Sequence, residues 1–250
     1  MKRILFLSDM HIGHKTGLCP PAWFGGGPEI VPKLRINWDW FEPTVMKHGP
    51  YDCLVLLGDD VDRDGVKNSH ETIMDTHQQQ EAVIFVVDMI AAPIIYSVYG
   101  TEVHVQEKSG HELEYDIGKR LGIKTHKQVW IGVDDYILDC RHHSAGKSTV
   151  YPGNPLQKEY ETNQKWHKEG VQPSATHVIR GHTHSMYYCG VPNRWQGIAC
   201  PALQDVGGRY GARMSSVIHF GFGVMEIIKG RWPIWTVYEK PRQMEAVFSL

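Results

Sequence analysis

Ile4-Leu5-Phe6-Leu7-Ser8-Asp9-Met10-His11, and further on Cys53-Leu54-Val55-Leu56-Leu57-Gly58-Asp59-Asp60-Val61-Asp62, are the stretches that decide the fold. Each is a short apolar run that breaks at once into carboxylates and, in the first, an imidazole. A run apolar at every position suits a strand buried on both faces, as in a parallel sheet covered by helices. Three further runs share this form. Ile94 to Val98 leads to Gly100, Thr101 and His104; Tyr136 to Cys140 leads to His142 and His143; His177 to Ile179 leads to Gly181-His182-Thr183-His184. The carboxyl ends of neighbouring strands in an α/β sheet open on one crevice, so these distant residues are expected to meet there.

Between the runs, Lys33 to Lys47 and Glu71 to Ile90 carry apolar residues at mixed three and four spacing, and Pro155 to Lys168 is rich in Lys, Glu and Gln. All three read as helices, the last exposed on one side. Gly17 to Pro32, with Trp23 and Phe24, reads as a long surface loop of the kind that often carries function. Beyond Val217, the alternation in Val217 to Ile228 and Trp232 to Glu239 predicts two or three antiparallel strands closing a second sheet. The expectation is one α/β domain over residues 1–250, with loop elaborations at about 12–33 and 144–170.

Composition narrows the class without naming a substrate. Of 250 residues, 42% are hydrophobic and 22% charged, and no apolar run approaches the roughly 18 needed to span a bilayer, so no membrane association is expected. Ser8 and Asp9 cut the first apolar run short of a signal peptide, and five cysteines without a C-x-x-C pair fit reduced thiols, so a cytoplasmic protein is expected. A net charge of -2 provides no global field for nucleic acid. Oligomeric state is not readable.

The chemistry lies in the gathered carboxylates and imidazoles. Such a set repels itself and loses solvation when buried, and a pair of divalent cations offsets that cost. Mixed Asp and His donors suit Mn, with Fe, Zn, Co or Ni as alternatives, better than Mg or Ca. Two cations roughly 3.5 to 4 Å apart stabilise both attacking and leaving oxygens of an in-line displacement, which is suited to phosphate ester hydrolysis.

In order and spacing, Ser8-Asp9-Met10-His11-Ile12-Gly13, Gly58-Asp59-Asp60-Val61-Asp62, a single or paired His, and Gly181-His182-Thr183-His184 resemble the motifs of the calcineurin-like metallophosphoesterases. The resemblance implies a double β-sandwich flanked by helices, in four α/β/β/α layers. It implies that Asp9, His11 and His184 hold one metal, that Asp59 bridges two, that His142 and His182 belong to the other, and that a bridging hydroxide is the nucleophile. Gly58 to Arg63 also resembles the matching motif of the serine/threonine protein phosphatases, which makes Asp62 a candidate to orient a histidine and Arg63 a candidate phosphate contact. The third motif departs from the family's Gly-Asn-His. Here it reads Gly100-Thr101-Glu102-Val103-His104, similar to a variant associated with phage-type members. His104 is then the candidate acid, and Thr101 offers a hydroxyl where the family has an amide, which leaves occupancy of the second metal open.

A lone Asp-x-His or His-x-His is usually a polar turn after a strand, but five such clusters in one order are not accounted for that way. His142 is preferred to His143 as ligand because it lies nearer the strand end, and Asp60 is expected to face outward. Arg63 is equally readable as a surface ion pair. Ala145-Gly146-Lys147-Ser148-Thr149 imitates a phosphate-binding loop, but the motif's first glycine would fall at Arg141 and Pro152 comes early in the segment after it, so ATP binding is not expected. Trp23 and Trp166 read as core packing before base-stacking platforms. The expected substrate is a phosphodiester of nucleotide or nucleic-acid type, with a phosphomonoester as the alternative and a catalytically inactive, metal-stabilised binding module as the second.

Overall fold

A computed structural model describes residues 1–62, 71–105, 112–144, 151, 153–206 and 217–242. The runs that open the chain form β1 (Lys2–Leu7) and β2 (Cys53–Leu56), which pair in parallel, Ile4 opposite Cys53 through Leu7 opposite Leu56. β3 (Ile95–Val98) and β4 (Thr125–His126) continue the parallel set outward. A second sheet contains β5 (Val129–Val133), β6 (Tyr136–Arg141), β7 (His177–Arg180), β8 (Tyr187–Val191) and β9 (Trp195–Ala199) in the order β5-β6-β7-β9-β8, with β6, β7 and β9 parallel. Two late strands, β10 (Gly221–Ile227) and β11 (Ile234–Glu239), complete the first sheet as β11-β10-β1-β2-β3-β4.

Period-two alternation sorts the apolar strand residues between two cores. Leu5, Leu7, Leu54 and Leu56 face the helices, where they meet Leu34, Trp38, Phe41 and Val45 of α1 (Val31–Lys47) and Ala82, Val83, Val86 and Val87 of α2 (Thr76–Ile90). Ile4, Phe6, Cys53, Val55 and Leu57 face the other sheet and pack on Leu138, Cys140, Ile179 and Ile198. Both faces of β1 and β2 are therefore buried, which is why their sequences read as unbroken apolar runs. α5 (Asn154–Lys168) covers the outer face of the second sheet through Leu156 on Val178 and Ala199. The layers are helix, sheet, sheet, helix. Truncating a residue such as Phe6, fully buried between the sheets, costs about 3–5 kcal/mol by the usual cavity relation.

Several expectations from the sequence are corrected. The tail strands join the first sheet, where β10 runs antiparallel to β1, and do not close the second. α2 begins at Thr76, five positions after the expected start, because Asp75 and Gln78 form a reciprocal capping box there. Gly17 to Pro20 are buried, and Trp23 stacks edge-on against Phe85 at 5.7 Å, so that stretch is packed against the core over part of its length. The helix expected over Pro155 to Lys168, within the 144–170 elaboration, is present as α5. The phosphate-loop imitation at 145–149 lies outside the described residues. All five cysteines are free thiols, and no helix among the described residues is long and apolar enough to cross a membrane.

Candidate metal centre

Five loops from the two sheets converge at the carboxyl ends of the strands. The loops after β1 and β2 are zipped together by backbone hydrogen bonds, Asp9 N to Gly58 O (3.0 Å), His11 N to Asp59 O (2.9 Å) and Asp62 N to Ile12 O (3.0 Å). Within the second sheet, Gly181 N donates to His142 O (3.0 Å), which joins the loops after β6 and β7. The approach is so close that a Cβ on Gly181 would lie 2.2 Å from Ser8 Oγ, and one on Gly100 would lie 2.2 Å from Asp59 Oδ1. Glycine is the residue that admits these contacts.

Asp9, His11, Asp59, His182 and His184 all adopt positive φ, between 43° and 68°. Each such backbone costs a non-glycine residue of order 1 kcal/mol or more, and glycine would relieve it. The strain is retained where a carboxylate or imidazole is needed.

The side chains form two sets with shared members. In the first, His184 Nε2 lies 3.1 Å from Asp9 Oδ1 and 3.3 Å from His11 Nε2. In the second, His142 Nε2 lies 3.1 Å from Asp59 Oδ2, and Thr101 Oγ1 lies 3.0 Å from Asp59 Oδ2, 3.3 Å from His142 Nε2 and 3.3 Å from His182 Nδ1. Asp59 Oδ2 is also 3.9 Å from His11 Nε2, and Asp9 Oδ1 is 4.0 Å from His142 Nε2, so these two oxygens stand between the sets.

These separations fit cations. Two donors about 2.1 Å from one ion at tetrahedral to octahedral angles lie about 3.0–3.4 Å apart. Asp9 Oδ1 is buried without a hydrogen-bond partner, although its other oxygen accepts from Ser8 Oγ and from His182 N (2.9 Å). One carboxylate oxygen is thus fixed by the chain and the other is left aimed at His184. His142 Nδ1 donates to Leu57 O at 2.6 Å, which directs the Nε2 lone pair inward, the usual support for a ligating imidazole. Thr101 Oγ1 has one proton for three neighbours, so its lone pairs also face the common centre. The donor set fits two divalent cations.

Without cations the cluster balances itself with protons. Burial disfavours the charged imidazole of His142, but the Asp59 and Asp9 carboxylates outweigh it and push the pKa up to about 10. His182, half-buried beside His142 without a hydrogen-bonded carboxylate, falls to about 4 through partial burial and then the His142 charge. Asp9 and Asp59 resist burial and stay well below the usual carboxylate range because imidazoles surround them. Cations at these positions replace the protons.

His104, in the short helix α3 (Glu102–Val105), reaches Asp62 Oδ1 with Nδ1 at 2.6 Å, and its ring packs edge-on against His11 at 4.6 Å. Burial works against its charge, but the hydrogen bond to Asp62 and the nearby carboxylates raise its pKa. The structure thus brings together Asp9, His11, Asp59, Asp62, His104, His142, His182 and His184. Arg63 lies outside the described residues. His143 also lies near His142 and His182, but it is exposed, whereas His142 is wholly buried and next to Asp59.

Asp60 is corrected: it does not face outward but is completely buried, and burial, then the Glu114 and Asp59 charges, push its pKa well up. Its two oxygens have no hydrogen-bond partner among the described residues. Glu114, on α4 (Leu113–Arg120), was invisible to motif reading. Its carboxylate accepts from Asp60 N (3.0 Å) and Gly100 N (2.7 Å), and burial, then Asp59, raise its pKa to about 7. A helical Glu without a ligand-type neighbour carries no local signal of such a role.

Two facing sheets whose parallel strand ends present this paired Asp and His centre, in this order along the chain, identify the architecture. The four layers agree with those that the resemblance to the metallophosphoesterases implies. Among solved structures, the chain is similar to Vacuolar Protein Sorting 29 of Cryptosporidium parvum (11% identity, 96% of this chain and 98% of that one, TM-score 0.48). It is similar also to Vps29 of Chaetomium thermophilum (9% identity, 96% and 95%, TM-score 0.46) and to an archaeal phosphodiesterase (14% identity, 94% and 99%, TM-score 0.44). No family model matches the chain, and no curated protein does. Similarity at this level assigns no activity, and the chemistry of the centre rests on its own atoms.

Proposed function

We propose that the chain hydrolyses phosphate esters with two divalent cations, and that its substrates are phosphodiesters. The observation that carries this reading is the pair of donor sets meeting at Asp59 Oδ2 and Asp9 Oδ1, with donor separations of 3.0–3.3 Å. Asp9, His11 and His184 would hold the first cation, and Asp59, His142, His182 and Thr101 the second. Two cations there would supply binding of phosphate oxygens and an activated water at neutral pH.

The chain's own groups do the rest. Asp62 accepts from His104 Nδ1 and fixes the ring, which leaves His104 Nε2 to deliver a proton to the departing alkoxide. Among the described residues, every ion pair made by Asp9, Asp59 and Asp62 is with a histidine. The choice of a diester over a monoester is tested directly by the paired substrates below.

The test is hydrolysis of a chromogenic diester and its monoester counterpart by chelator-stripped protein, with and without Mn, beside Asp59→Asn. Mn-dependent turnover of the diester, at least tenfold weaker in the variant, is expected. Absence of Mn-dependent turnover on either ester overturns the enzymatic reading and leaves a metal-stabilised binding module.

A further inference from the structure

We infer that Glu114 is a positioning residue chiefly for the second cation, an inference that rests on the two-cation reading above. The Glu114 side chain sits behind the centre, in a helix that contributes no donor, and is 1% exposed. Its two oxygens are spent on two backbone amides from different loops, Oε1 on Asp60 N at 3.0 Å and Oε2 on Gly100 N at 2.7 Å. Each amide adjoins a residue of the second set, Asp59 on one side and Thr101 on the other. With the loops drawn together, Thr101 N donates to Asp59 Oδ1 at 2.5 Å and Thr101 Oγ1 meets Asp59 Oδ2 at 3.0 Å.

The chemistry of the clamp explains why it is a carboxylate. Two N–H donors converging on one side chain need an acceptor with two oxygens; an amide satisfies one donor and turns its own N–H on the other. A buried carboxylate is costly unless its hydrogen bonds are made, and here both are. Asp9, His11 and His184 come from the loops after β1 and β7, whereas the amides that donate to Glu114 belong to Asp60 and Gly100. Loss of the clamp therefore loosens Asp59 and Thr101 directly and reaches the first set through Asp59.

The experiment is Mn(II) titration of chelator-stripped wild type and Glu114→Gln, read by metal stoichiometry and by electron paramagnetic resonance, with thermal melting of the metal-free forms alongside. Wild type is expected to bind two ions with the spectrum of a coupled pair. Glu114→Gln is expected to bind one ion with unchanged affinity and the other 10- to 100-fold more weakly, the range for groups that support ligands, so that at limiting Mn its spectrum is that of isolated ions. If the Gln variant does not fold, Glu114→Asp takes its place, since the shorter carboxylate keeps its charge but does not span both amides. A folded variant that binds both ions with wild-type affinity overturns the inference, and so does equal weakening of both. Wild type that binds one ion or none overturns instead the two-cation reading beneath it, so the two failures are separable.

Discussion

His104→Gln tests the assignment of the leaving-group acid, because its effect depends on which bond is broken. His104 Nδ1 is committed to Asp62 at 2.6 Å, which leaves Nε2 to give up a proton. General acid catalysis contributes typically 10²–10⁴-fold, and only where the departing oxygen is basic enough to need the proton. The variant should lose roughly that factor in kcat on an alkyl or nucleoside diester and less than about tenfold on a nitrophenyl diester, whose leaving group departs unaided.

Asp62→Asn removes the charged acceptor, and a hydrogen bond to a charged group contributes about 1.5–3 kcal/mol, so it should cost roughly ten- to hundredfold on the alkyl substrate. Because Asp62 acts here through His104, the double variant should be little slower than His104→Gln alone. The assay is single-turnover kinetics of the four proteins on both substrates at saturating Mn. Equal losses on the two leaving groups, or multiplicative losses in the double variant, would refute the pairing; Asp62 would then act on His11, whose Nδ1 is 3.8 Å away.

Three further outcomes rest on contacts elsewhere in the fold and on the metal itself. Arg180 is buried and bonds to Asp139 Oδ2 at 2.8 Å and Glu159 Oε2 at 2.5 Å, so Arg180→Met should cost about 3–5 kcal/mol by urea unfolding, and a loss below about 1 kcal/mol would show the network to be dispensable. His177, stacked on Trp232 at 4.9 Å, is pulled down by burial from 6.5 to about 4, so the unfolded chain takes a proton that the folded one refuses. Stability should fall by roughly 3 kcal/mol as pH drops from 6.5 to 4, and His177→Phe should flatten that fall; an unchanged pH profile of melting would place the effect elsewhere. Mn at about a thousand times its dissociation constant should stabilise the fold by about 4 kcal/mol per site, raising the melting temperature roughly 8–16 °C above that of the chelated protein, whereas no shift would show that binding and folding are uncoupled.

The parts of the fold legible in the sequence are those whose environment is uniform along the segment. β1 and β2 are buried on both faces, so local composition states their role without ambiguity. β8 is an edge strand with Tyr188 67% exposed, and β5, the other edge, carries a half-buried Trp130 and an exposed Gly132 on one face, so in each an uncovered face makes the environment uneven along the segment. The tail shows the second difficulty. Alternation in β10 and β11 reports that they are strands but not which sheet accepts them, because pairing with β1 is a long-range fact. The donors were legible for a related reason: each comes directly after its own strand, so its position in space is fixed by a few residues. Asp60 and Glu114 were not, since a carboxylate in a loop or helix looks the same in sequence whether it faces water or lies in the interior.

The two candidate cation sites each draw donors from both sheets. The first joins Asp9 and His11, after β1, to His184, after β7; the second joins Asp59 and Thr101, after β2 and β3, to His142 and His182, after β6 and β7. Neither sheet alone supplies a complete set, so docking the sheets and assembling the centre are one event. The inter-sheet core of Phe6, Val55, Leu138 and Ile179 sets the separation at which the donors meet, and ions bound there would in turn hold the strand ends together. Strained Asp and His backbones at those ends are tolerable on the same ground: their cost is set against a cross-link that a relaxed loop, with glycine in place of the donor, does not make.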